Sequence, residues 1–142
     1  MSSENLTSLE VFDIIWGWLK ASPLCRIVPT MYPYKYPDVT PDNPLSGEFL
    51  VVKPLTNVTG DLQVATVNVN IYVPDDTPSI HRIEQRYPKI KRLSELTKVA
   101  YGSLQGFPVS ERWFFDVSDE NVFSEDDIPY SFSNIRVTLK RF

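Results

Sequence analysis

Residues 61–73 carry the clearest strand signal, and from residue 65 every second side chain is apolar: Ala65, Val67, Val69, Ile71 and Val73 alternate with Thr66, Asn68, Asn70 and Tyr72. A period of two with one dry face and one polar face is the pattern of a β-strand half in the core. Such a strand needs a partner along its edge and a cover on its dry face. The partner is close by. Residues 48–55, EFLVVKPL, read as a strand with apolar residues on both faces. The intervening Thr56-Asn57-Val58-Thr59-Gly60 has loop chemistry, so the two strands form a hairpin. Pro74-Asp75-Asp76 closes it.

The cover comes from two helical patterns. In residues 7–22, Leu9, Phe12, Ile15, Trp16 and Leu19 repeat at helical spacing, and Thr7 with Glu10 has the spacing of a capping box. Trp18 lies off that stripe, either half-buried or free to touch a partner, and Pro23 stops the helix. A second helix is expected over about 79–104. Thr77 and Pro78 start it, and Ile80, Ile83, Tyr87, Ile90, Leu93, Leu96 and Val99 form its apolar side. Pro88 should kink it, because the ring removes a donor and clashes with the preceding turn, while Gly102 and Gly106 can end it. Unbroken, such a helix would be roughly 39 Å long, enough for one end to project or meet another chain.

Residues 112–117, RWFFDV, read as a strand, residues 118–130 as an acidic loop, and residues 131–140 as a closing strand with Ile135, Val137 and Leu139 facing inward. The expected fold class is α+β: an antiparallel sheet packed by an N-terminal helix and a long kinked helix, in the order α-β-β-α-β-β. With 142 residues the chain makes one domain, residues 1–142. Within it, residues 23–47 form an extended segment punctuated by Pro23, Pro29, Pro33, Pro37, Pro41 and Pro44, with Tyr32, Tyr34 and Tyr36 between them. The middle four prolines recur every four residues, not every three as polyproline II requires. The tyrosines then pack on the domain or on a neighbour, and a long connection of this kind is often functional.

Chemistry-bearing motifs are scarce. A single cysteine, Cys25, cannot form an intrachain disulfide, and one cysteine with one histidine, His81, argues against a Cys/His zinc site. His81 has no nucleophile or orienting partner in a recognisable arrangement, and reads as a helix-surface residue. There is no G-x-S-x-G, P-loop or G-x-G-x-x-G. We therefore expect no enzyme and no cofactor. The start MSSENLTSLE lacks the basic and apolar regions of a secretory signal, and no apolar run approaches the roughly 20 residues that span a bilayer. The chain reads as soluble and intracellular, so its two N-x-T sequons carry little weight.

Charge is more informative. Although the formal net charge is −4, its distribution is uneven. Residues 111–127 hold Glu111, Asp116, Asp119, Glu120, Glu125, Asp126 and Asp127 against one Arg112. A calcium loop would need six to eight oxygen ligands and a tight turn, and the EF-hand spacing is absent. A pair of catalytic carboxylates would lack any supporting motif. The acidic stretch is better read as solvated or as facing a basic partner. Such a partner exists in the same chain, where Arg82, Arg86, Lys89, Lys91, Arg92 and Lys98 stand against Glu84 and Glu95. Three readings follow: a solvated face, a nucleic-acid contact, or head-to-tail self-association in which one subunit's acidic stretch meets the next subunit's basic helix. The candidate subunit-interface residues are Asp116, Asp119, Glu120, Glu125, Asp126, Asp127, Arg82, Arg86, Lys89, Arg92, Tyr32, Tyr34 and Tyr36.

A short first helix is followed by a hairpin whose second strand, Val67-Asn68-Val69-Asn70-Ile71-Tyr72-Val73-Pro74, breaks at proline. A long helix with Tyr87-Pro88, an acidic excursion and the terminal strand Asn134-Ile135-Arg136-Val137-Thr138-Leu139 complete the order. In this order the chain resembles the tail-terminator and tail-completion proteins of tailed bacteriophages, among them head–tail connector ring subunits. The likeness covers residues 8–20 and 48–142 and is one of pattern. The segment 28–44 is longer and richer in proline than the family pattern. The resemblance implies a structural virion protein, assembled in the host cytoplasm, with no catalytic residues. It implies a homo-oligomeric ring, a hexamer or dodecamer, at the head–tail junction or tail end. Its partners would be copies of itself and neighbouring connector, portal or tail proteins. DNA would pass through the ring without sequence-specific binding, and no membrane would be involved. The alternative from a different class is a small monomeric protein-binding adaptor.

Overall fold

A computed structural model describes residues 5–42, 44–60, 62–76, 79–80, 83–84, 86–104 and 113–141, with 79–80 and 83–84 described as backbone. Expectations resting on Thr77, Pro78, His81, Arg82, Gly106, Glu111 and Arg112 lie outside these residues. The protein is a mixed α+β structure built on a five-stranded sheet.

The first helix, α1 (Ser8–Lys20), begins where the sequence says it should. The Thr7 hydroxyl accepts from the Glu10 N–H at 3.2 Å, and the Glu10 carboxylate accepts from the Thr7 N–H at 3.0 Å. This reciprocal pair satisfies two otherwise unpartnered donors of the first turn. The buried stripe is Val11, Phe12, Ile15 and Leu19, rotated from the expected one, and Leu9 faces solvent. Pro23 ends α1 and opens a short second helix, α2 (Pro23–Ile27), where its missing N–H costs nothing. The strand β1 (Met31–Pro33) follows. The segment 23–47 therefore carries regular structure that its prolines conceal.

Next come β2 (Phe49–Val58) and β3 (Gln63–Pro74), paired antiparallel as a hairpin, with a register shift between Pro54 and Thr56; the first strand runs on through Thr56, Asn57 and Val58, which the sequence reading assigns to the loop. Along β3 the dry face holds as read: Ala65, Val67, Val69, Ile71 and Val73 are all buried. The closing hairpin is β6 (Trp113–Ser124) with β7 (Tyr130–Arg141). Its β7 pairs antiparallel with β3 from Gln63–Arg141 to Pro74–Tyr130. The sheet order is β1-β2-β3-β7-β6. It is not wholly antiparallel, because β1 runs parallel to β2 along the outer edge.

Two expectations need correction. The helix read over 79–104 is α3, Ile90–Leu104, about 22 Å long, and it is not kinked at Pro88. Ahead of it, β4 (Ser79–Ile80) and β5 (Ile83–Glu84) form a small antiparallel pair. Tyr87 and Asp76 exchange two backbone hydrogen bonds of 2.8 Å. The residue before a proline is driven out of the helical region, so Tyr87 takes extended geometry and Pro88 precedes the helix. The first helical bond runs from the Leu93 N–H to the Lys89 carbonyl at 2.9 Å. The second correction concerns the acidic loop expected over 118–130. Residues up to Ser124 belong to β6, and only the turn around 125–129 is loop. Edge strands often carry charge because it discourages pairing with another chain. That charge is what hid the strand.

The two longer helices cover one face of the sheet, α1 over β2 and β3, α3 over β3, β7 and β6. Between them lies the main core, where Ile15, Leu19, Leu93, Leu96 and Leu104 meet Val67, Val69, Ile71, Ile135, Val137 and Leu139. A smaller cluster lies on the opposite face: Phe49, Val51, Tyr72, Ile128 and Tyr130, with Tyr32, Tyr36, Leu45 and Phe132 against it.

Candidate functional site

Register places four aromatic residues in one row across the face away from the helices. Phe49 of β2 is opposite Tyr72 of β3, Tyr72 opposite Phe132 of β7, and Phe132 opposite Phe123 of β6. Their ring centroids are 4.7, 4.7 and 5.6 Å apart in turn. Cross-strand aromatic pairs of this kind are a main source of sheet cohesion. The proline–tyrosine segment covers one end of the row: Tyr32 meets Phe49 edge-on at 5.4 Å, and Tyr36 meets Tyr72 at 5.5 Å. Phe49 and Tyr72 are thereby buried, whereas Phe123 at the far end is 50% exposed. Tyr34 sits at φ 67°, a left-handed conformation unusual for a bulky residue. It is held there by its N–H to the Val52 carbonyl at 2.8 Å and by stacking on Phe12. Of the three tyrosines read as interface residues, Tyr32 and Tyr36 thus fill an intramolecular cluster, and Tyr34 keeps one half-exposed side.

The acidic turn lies at the same end. The Tyr72 hydroxyl donates to Glu125 at 3.2 Å. Burial first, and then the Glu125 charge, push the Tyr72 phenol well above its ordinary range. Tyr36 is raised in the same way, by burial and then by Glu125 and Asp127. The turn's carboxylates therefore reach the face that carries the aromatic row.

Many of the charges singled out from the sequence are paired within the subunit. Arg86 donates to the carbonyls of Ile128 and Glu125. Arg92 holds Glu48 through two bonds of 2.6 and 2.7 Å, and this pairing raises its already high pKa further. Lys89 lies 3.8 Å from Asp76, Arg136 3.8 Å from Asp119, and Lys140 3.9 Å from Asp116. Among the described residues, Lys91 and Lys98 on α3 have no ion-pair partner, and neither do Glu120, Asp126 and Asp127.

On the helix-covered face a groove of about 490 Å³ runs between α3 and the outer half of β6. Ile90, Leu93, Lys98 and Tyr101 line one side, Glu120 and Val122 the other. Ile90 is 71% and Val122 53% exposed, so two apolar side chains face each other across open space. Val122 and Phe123, adjacent on one strand, point to opposite faces. Sequence reasoning missed both because they sit inside the acidic stretch. The available signal was the pair of apolar residues flanked by Asn121 and Ser124, which suits an edge strand.

Trp18 proves to be a packing residue. Its indole donates to the Ser103 carbonyl at 2.9 Å, and its ring meets Phe115 edge-on. Cys25 is half-buried, with its sulfur 3.7 Å from that of Met31. No group of three His, Cys, Asp or Glu side chains that could hold a metal is present among the described residues. No helix among them is long and apolar enough to cross a membrane. Comparison with protein-family models and with curated proteins gives no match.

Proposed function

We propose that this chain is a structural subunit of a homo-oligomeric ring at the head–tail junction or tail end of a tailed bacteriophage. One observation carries the reading. The two faces of a single sheet present different surfaces: an apolar groove with Lys98 on its wall on the helix side, and the exposed Phe123 end of the aromatic row, on the strand that leads into the acidic turn, on the other. Non-identical surfaces on opposite sides suit head-to-tail contacts, which close into rings when the rotation permits. The order of helix, hairpin, helix, hairpin in the resemblance to tail-terminator and connector proteins supports the same reading. On it, neighbouring connector, portal or tail proteins are the outer partners, and DNA passes through without sequence-specific contact, in keeping with a net charge of −4.

The adaptor reading is less favoured because Trp18, Tyr32 and Tyr36, which it would use, are engaged inside the subunit. The test is the mass in solution by light scattering at low and physiological salt, with electron microscopy of the largest species. Six or twelve subunits in a closed ring are expected. A monomer at every concentration and salt overturns the ring, and the groove then becomes the adaptor's binding site.

A further inference from the structure

We propose that the free end of the aromatic row docks into the groove of a second copy. Phe123 seats between Ile90, Tyr101 and Val122 of that copy, and Asp126 and Asp127 meet its Lys91 and Lys98. This deepens the ring reading and rests on it. Three observations argue for a second copy as the occupant. The first is charge: among the described residues, Lys98 on the groove wall and Lys91 seven residues before it on α3 have no ion-pair partner, and neither do Asp126 and Asp127 on the turn, so one chain supplies both halves of a complementary contact. The second is position. The groove lies on the helix-covered face and Phe123 on the opposite face, so the halves cannot meet within one subunit but can meet between neighbours. The third is shape. Phe123 is half-exposed at the open end of a stacked row, and the groove offers about 490 Å³ walled by exposed apolar side chains.

Strand addition at the edge of β6 is the competing geometry. That edge carries a register shift between Val117 and Asp119 as well as acidic residues, features that blunt edge pairing. Docking by side chains is therefore favoured over extension of the sheet. Because the two surfaces differ, the contact needs no two-fold axis.

The test is charge reversal with complementation. The variants Asp126→Lys/Asp127→Lys and Lys91→Glu/Lys98→Glu are made separately in the full chain. All four positions are without ion pairs among the described residues, so circular dichroism and thermal unfolding should match the parent. Each variant alone would set like charges together. Each should raise the concentration for half-assembly about tenfold or more by light scattering. Mixed one to one, they should regain assembly in alternating order, which six- and twelve-membered rings both allow. Phe123→Ala should weaken assembly without being rescued by either variant. If the parent forms rings and the variants assemble like it, or if the mixture fails to recover, this docking is overturned while the ring stands. A parent that stays monomeric overturns both.

Discussion

Arg86 donates to the Ile128 carbonyl at 2.7 Å and to the Glu125 carbonyl at 3.1 Å, so one guanidinium fastens the turn between β6 and β7. It also lies 3.8 Å from the Asp75 carboxylate, which is 2% exposed. Asp75 accepts from the Ser131 hydroxyl at 2.7 Å, tying the end of β3 to the start of β7. Arg86 was read as an interface residue, and its donors are directed inward. Arg86→Ala should lower stability by about 2 kcal/mol in urea unfolding, because charged hydrogen bonds are lost and a buried carboxylate is left uncompensated. Adding Asp75→Asn should recover part of that loss; an additive further loss would show that the two residues are not coupled.

Gln63 is fully buried and hydrogen-bonds both backbone groups of Leu6, at 2.9 and 2.8 Å, as a neighbouring strand would. It also donates to Asn57 at 2.6 Å. Gln63→Ala should cost about 1–2 kcal/mol by urea unfolding, since it leaves the partly buried Leu6 backbone groups and the Asn57 side chain without this partner. It should also make the chain before α1 more readily cut in limited proteolysis. Unchanged cleavage would mean that this segment is held by something else.

The raised Tyr72 phenol sets a pH dependence. Folded Tyr72 keeps its proton at a pH where the unfolded chain has lost it, the unfolded value being about 10. Its contribution to stability is therefore complete below about pH 10 and is lost as pH rises towards the folded value. Denaturant midpoints should fall above pH 10, and Tyr72→Phe should make that fall shallower. An equal slope in the two proteins would assign the alkaline loss to other groups.

Two leucines of the helices make a contrast. Leu96 of α3 is buried in the main core, whereas Leu9 of α1 faces solvent. Leu96→Ala should cost about 2–5 kcal/mol, as truncations in close-packed cores do. Leu9→Ala should stay within about 0.5 kcal/mol. Thermal and urea unfolding of the pair measure both.

What was legible in the sequence follows from how local its causes are. The alternation from Ala65 to Val73, the hairpin into it, the Thr7–Glu10 capping box and the inward Ile135, Val137 and Leu139 are dictated by neighbours a few residues apart. They appear as read. The start of α3 was misplaced because Ile80 and Ile83 continue the helical spacing, while the β-bridge of Tyr87 with Asp76 depends on a non-local pairing. The outer half of β6 was hidden because half of its neighbours are solvent, and no apolar alternation is required of it. The groove could not be read at all. It arises where α3 and β6 run side by side, a proximity that neither segment encodes alone.

The pairing of β3 with β7 has a consequence for how the chain folds. Each hairpin closes over a short stretch of sequence, and hairpins form in about 1–10 μs. The seam between them joins residues such as Val67 and Val137, 70 positions apart, so its loop-closure entropy must be overcome before any of its contacts help. Formation of this seam, with α3 packed across it, should therefore limit the folding rate. Val67→Ala and Val137→Ala are expected mainly to slow refolding, whereas Val58→Ala, at the far end of β2, should leave the refolding rate nearly unchanged. A chain held up at that step exposes two finished ribbons, each with one apolar face uncovered. In the cell, the interval before they zip together is its period of greatest exposure to aggregation.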